Sequence, residues 1–159
     1  LHYEKLMSAR ITHIVCLCKQ VRSMFPESFE YFRVDDFDDD GSPESLDIFR
    51  GRLGHCLAFI RDSMAAGGSV LVHCYQGKSR SAALCCAYLL TYPESHVPTL
   101  LSALEMIRRC RPQASPNIGL ISVLRNLERA RRSECNDAVT AVDTVLSLPT
   151  TRTTEPTNK

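Results

Sequence analysis

Apolar positions along this chain alternate between short β-branched runs and longer stripes spaced three and four apart. "RITHIVCLC" (10–18) and the shorter "YFRV" (31–34) predict buried strands. The acidic stretch "DDFDDDGSPES" then reads as a loop, with Ser42 followed by Pro43 as a helix start. Phe49, Leu53, Leu57, Ile60 and Met64 recur at helical spacing until "AAGG" ends the pattern. "SVLVHC" (69–74) is continuously apolar, which predicts a strand in the middle of a parallel sheet. From Ser79 or Arg80 to Leu90 the sequence is apolar on all sides, predicting a central buried helix. Val97, Leu100, Leu101, Leu104 and Ile107 mark a further helix, stopped by Pro112. Asn117 can cap a last one that turns Ile121, Leu124 and Leu127 inward.

Strands alternating with helices imply an α/β domain, a central, mostly parallel sheet flanked by helices, over residues 1–132. Beyond about Arg132 the composition turns to Ser, Thr, Asp and Pro. Residues 133–159 are therefore expected to form a disordered tail. The chain starts on Leu1 rather than methionine, so a segment upstream is expected to be missing.

Composition narrows the function classes. With 159 residues the chain has the length of one domain, and 44% hydrophobic and 23% charged residues are ordinary for a soluble protein. A net charge of +1 gives nucleic acid little to hold. No apolar run approaches the roughly 18 residues of a membrane span, and no signal peptide is recognisable. Of the eight cysteines, Cys16, Cys18, Cys85 and Cys86 sit in apolar segments, as reduced core cysteines do. A reducing, cytoplasmic or nuclear setting is the expectation. There is no C-x-x-C pair, and His13 faces away from Cys16 and Cys18 if all three share a strand, so no metal is expected.

The stretch "VLVHCYQGKSRSAALCCAYLL" (70–90) carries the chemistry. In an open parallel sheet ligands bind where strands end and helices begin, and Cys74 stands at such an end. The loop Tyr75-Gln76-Gly77-Lys78-Ser79 leads into a helix, so its backbone N–H groups can converge on one anion, with Gly77 permitting the backbone angles this needs. Arg80 adds a planar fork of donors suited to two phosphoryl oxygens. The same positive field favours Cys74 as a thiolate. A nucleophile and an anion cradle on one loop suit attack on a phosphate ester.

"HCYQGKSRS" resembles the active-site loop of the cysteine-based protein phosphatases. "ITHIV", "FIRDSMAAGG", "CAYLL" and "RRCRPQASPNIG" extend the resemblance to the small dual-specificity phosphatases, over about residues 6–130. It implies the cysteine-based phosphatase fold with its N-terminal sheet edge incomplete here. It also implies a two-step reaction with no metal or cofactor. Cys74 forms a phosphocysteine, the backbone of residues 75–80 and Arg80 hold the equatorial oxygens, and Ser81 stabilises the departing thiolate. His73 orders the loop. The implied substrate is a protein phosphorylated on tyrosine, serine or threonine.

The resemblance puts Asp36, in "YFRVDD", in the place of the general acid. The stretch from Asp36 to Cys74 is longer than the family pattern, which leaves Asp35 and Asp38, and after them Asp39 and Asp40, within reach of a flexible loop. Gln76 departs from the small residue usual there. Lys78 raises a phosphoinositide reading, which the acidic loop opposes. A phosphoprotein-binding domain without efficient chemistry, or an RNA phosphatase, would use the same kind of loop.

Overall fold

The computed structural model describes residues 2–92 and 96–146, with side chains described as far as Ser133. The order is α1 (Tyr3–Ser8), β1 (His13–Cys16), β2 (Glu30–Arg33), α2 (Pro43–Ala65), β3 (Val70–His73), α3 (Arg80–Thr91), α4 (Leu100–Cys110) and α5 (Ile118–Leu146). The three strands form a parallel sheet in the order β2-β1-β3, β1 and β2 being joined by an irregular segment and β2 and β3 by α2.

Local chemistry sets most boundaries. Ser42 caps α2 by accepting the Ser45 N–H at 3.2 Å, with Pro43 in the first turn, where its missing N–H costs nothing. Thr99 and Ser102 close α4 with a reciprocal capping box. Asn117 Oδ1 accepts the Leu120 N–H at 2.9 Å at the start of α5.

The two sheet faces are unlike. Val15, Leu17, Val34, Val70 and Val72 pack with α2, α3, α4 and α5 into the main core, in which Ala83, Leu84, Ala87 and Leu90 of α3 are wholly buried. This is the central helix that an apolar pattern on every side predicts. The opposite face carries a smaller cluster of Leu6, Ile14 and Phe29, closed by α1, which the sequence pattern did not announce.

Three expectations change. β3 is not in the middle of the sheet: β1 is, and no strand among the described residues pairs with the outer edge of β3. A continuous apolar run reports that both faces of a strand are covered, not that it has two neighbours. Met64, assigned to the apolar face of α2, is 50% exposed, and Cys56 takes an inward position instead. The last helix does not stop at residue 132 but runs to Leu146. Ala138, Val142 and Val145 there retain apolar spacing compatible with a helix. The rest of the expected tail, 147–159, lies outside the described residues.

Candidate active site

β3 delivers Cys74 to the end of the sheet, and α3 begins six positions later at Arg80. Between them Gly77 adopts φ +66°, a left-handed angle that lets the loop curl around its own amides. A Cβ at this position would also stand 2.6 Å from Arg111 Nη2. Cys74 is 5% exposed, at the base of a cavity of about 280 Å³ lined by Asp39, Tyr75, Gln76, Ser79 and Arg80.

The electrostatics favour a thiolate. Burial works to raise the Cys74 pKa. The Ser81 hydroxyl, with Oγ 3.3 Å from Cys74 Sγ, and the backbone amides of Ser81, Gly77 and Lys78 outweigh it, so the thiol titrates below its ordinary value. The positive end of α3 points the same way. Burial holds His73 below its usual value, against the opposing effect of its hydrogen bond to the Cys74 carbonyl. His73 Nδ1 lies 3.3 Å from that oxygen, so a neutral imidazole braces the loop. Cys85 is pushed up to about 11 by burial and then by the Cys74 charge, and Cys86 to about 12 by burial and then by Cys85. Both remain thiols at neutral pH, as core cysteines do.

Arg80 is 5% exposed. Its Nη1 donates to the Phe37 carbonyl at 2.7 Å, and its guanidinium sits 5.9 Å from the centre of the Phe37 ring. Its Nε is buried with no hydrogen-bond partner. An orphaned charged donor beside Cys74 is costly unless an anion takes it up.

The carboxylate at the cavity wall is Asp39, not Asp36. Ser79 Oγ donates to Asp39 Oδ1 at 2.6 Å, Asn117 Nδ2 donates to the same oxygen at 2.7 Å, and Arg80 Nε is 4.0 Å from Oδ2. Asp36 is exposed and does not line the cavity. Asp35 pairs with Arg33, Asp38 pairs with Lys19 at 2.8 Å, and Asp40 binds Ser42 next to the α2 cap. The reason is local. Val34 and Phe37 are buried and pin the segment after β2, so Asp35 and Asp36 are left on its outer side. The chain turns toward the catalytic loop only after Phe37.

Two residues gain roles that sequence did not assign. Asn117, legible as a helix cap, also holds Asp39 and donates its backbone N–H to Ser79 Oγ at 3.0 Å. Arg111 donates from Nε to the Gly77 carbonyl and from Nη2 to the Gln76 carbonyl, each at 3.1 Å. Ser115 N–H adds a 2.8 Å bond to the Lys78 carbonyl. The segment after α4 thus holds the loop from outside. Tyr75 and Gln76 line the cavity and are exposed, and Lys78, exposed as well, lies outside its lining.

Comparison with known proteins agrees with this geometry. The family described as dual specificity phosphatase, catalytic domain, matches residues 2–130. Dual specificity protein phosphatase 1 of Arabidopsis thaliana is 39% identical over 127 residues, covering 79% of this chain and 59% of that protein. Dual specificity protein phosphatase 19 of Mus musculus is 32% identical over 145 residues, covering 91% of this chain and 62% of the mouse protein. This chain therefore spans about three fifths of the length of those two relatives. The crystal structure of human DUSP28 superposes with a TM-score of 0.70 at 32% identity, over 81% of this chain and 82% of that one. With a cysteine, an arginine and a carboxylate around one cavity, this chain belongs to the dual specificity phosphatase catalytic-domain family.

Proposed function

We propose that this protein hydrolyses phosphate monoesters on phosphorylated proteins, at tyrosine and at serine or threonine, through a phosphocysteine. The observation that carries this reading is the shared cavity of Cys74, Arg80 and Asp39, with the cysteine biased toward thiolate. Cys74 Sγ attacks phosphorus as the ester oxygen departs. The backbone amides of the loop, together with Arg80 turned from the Phe37 carbonyl, carry the equatorial oxygens. Asp39, rather than Asp36, gives the leaving oxygen its proton. The resulting carboxylate then takes a proton from the water that attacks the phosphocysteine. Ser81 donates to the sulfur as the S–P bond breaks. The acidic residues beside Asp39, acting against the positive charge of exposed Lys78, favour a peptide with basic flanks over an anionic membrane surface.

The test is turnover of an aryl phosphate and of matched phosphotyrosine and phosphothreonine peptides, with chelator present, between pH 5 and 8. Cys74→Ser abolishes turnover. Asp39→Asn lowers kcat by about 10²–10⁴-fold, the range for a general acid, and flattens the basic limb of the profile. Asp36→Ala stays close to the parent. A flattened limb in Asp36→Ala alone would return the acid role to Asp36. Folded protein that binds phosphopeptide without turnover is a binding domain. Faster turnover of a phosphoinositide or an RNA 5′-phosphate would change the substrate class.

A further inference from the structure

Parallel register places Cys16 of β1 beside His73 of β3 on one side and Arg33 of β2 on the other. Cys18, just beyond β1, returns its sulfur to the same place. One ligand atom each from Cys16, Cys18 and His73 falls within 4.8 Å of the others. His13, the histidine next in sequence, is on the opposite face, which is why the chain read in order gives no ligand set.

We propose that Cys16, Cys18 and His73 form a binding site for one zinc ion, behind the catalytic loop and separate from the phosphate cavity. A tetrahedral ion with metal–sulfur bonds of about 2.3 Å holds two sulfurs about 3.8 Å apart, and Cys16 Sγ and Cys18 Sγ are 3.8 Å apart. Two thiolates and an imidazole are a donor set that selects zinc over magnesium or calcium. With the proton of His73 on Nδ1, directed at the Cys74 carbonyl, the lone pair is on Nε2. Metal-binding histidines are characteristically fixed by such a bond from the second nitrogen to a carbonyl. Water takes the fourth position.

Charge permits the ion. Cys16 and Cys18 each release a proton to solvent as a metal–sulfur bond forms, so two thiolates neutralise the divalent cation. The nearby positive charge of Arg33 is matched by its ion pair with Asp35, and its Nη2 is held by the Cys18 and Val21 carbonyls at 3.3 and 2.8 Å. Both cysteines are closed off at 0% exposure while His73 is half-buried, so the ion reaches them through local opening of the fold. A bound ion ties the end of β1 to the residue before Cys74, and so stabilises the base of the loop. It takes no part in phosphoryl transfer.

The experiment uses the full chain, stripped with chelator and titrated with zinc against a chromophoric chelator. Catalytic thiolates also bind zinc, so Cys74→Ser is titrated in parallel. Expected are one equivalent bound by parent and Cys74→Ser alike, and affinity at least tenfold weaker in Cys16→Ala and in Cys18→Ala. About tenfold is the lower end of the loss when even an outer hydrogen-bonding partner of a metal site is removed. Cobalt in the parent chain gives thiolate charge-transfer and tetrahedral ligand-field bands, which keeps the test open should an alanine variant not fold. Binding lost in Cys74→Ser but kept in both alanine variants, cobalt spectra without thiolate bands, or no saturable binding would each overturn the site.

Discussion

Asn117 and Asp39 are 78 positions apart, yet Asn117 Nδ2 donates to Asp39 Oδ1 at 2.7 Å. The residue that starts the last helix therefore fixes the carboxylate of a loop near the front of the chain. Asn117→Ser separates its two functions. Serine keeps the cap on the Leu120 N–H, so stability changes by only a few tenths of a kcal/mol. The shorter side chain does not reach Asp39, and kcat is expected to fall about tenfold with little change in KM. Equal loss of stability and activity, measured by thermal unfolding and steady-state kinetics, would reduce Asn117 to a cap.

The Cys74 thiol is held low because the Ser81 hydroxyl and three backbone amides together exceed the effect of burial. Removing the hydroxyl in Ser81→Ala moves the pKa upward. The acidic limb of kcat/KM, and the pH dependence of Cys74 alkylation in metal-stripped protein, then both shift to higher pH. The same sign governs stability. A folded-state pKa below the unfolded value contributes stability that is fully present above the unfolded pKa and is lost as pH falls through the folded one. Cys74→Ser lacks this contribution. The stability of the parent relative to Cys74→Ser should therefore decline as the pH is lowered through the range in which the thiolate is protonated.

Gly77 combines φ +66° with an approach to Arg111 that leaves 2.6 Å for any Cβ. The arginine side chain can swing aside, but the backbone angle cannot be avoided. Gly77→Ala is expected to cost about 1–2 kcal/mol of stability and to lower kcat/KM by more than about tenfold, because the amides lose their convergence. Arg111→Ala in the Gly77→Ala background relieves only the clash. Full recovery of activity in the double variant would show that strain is not the cause.

Phe37 joins the core to the site. It is 1% exposed, stacks on Phe49 at 5.3 Å between ring centres, and receives Arg80 through both its carbonyl and its ring face. Phe37→Ala should cost about 3–5 kcal/mol as a large-to-small core change. Phe37→Leu keeps most of the volume and costs about 1 kcal/mol. It nevertheless removes the ring beneath the guanidinium, so KM for phosphotyrosine peptide should rise several-fold while the melting temperature moves little. An unchanged KM in Phe37→Leu would show that the ring does not position Arg80.

Sequence by itself determined what depends on neighbours along the chain. The helix starting at Ser42-Pro43, the largely apolar α3, the Asn117 cap and the loop from Cys74 to Arg80 are each set by spacing or by a capping atom within a few residues. Cys74, Gly77 and Arg80 lie in one contiguous string, so the make-up of the loop could be read directly. Tertiary structure decided whatever joins distant segments. Among the aspartates between positions 35 and 40 the family resemblance favours Asp36, but the sequence does not show which of them faces the loop. Only the burial of Val34 and Phe37 and the reach of Ser79 and Asn117 select Asp39 among them. A run such as "VLVH" records covered faces but not the number of hydrogen-bonded neighbours, so the edge position of β3 appears only in the assembled sheet. The pairing of Cys16 and Cys18 with His73 rather than His13 has the same origin: alternation along one strand excludes a neighbour in sequence, and register between strands supplies another.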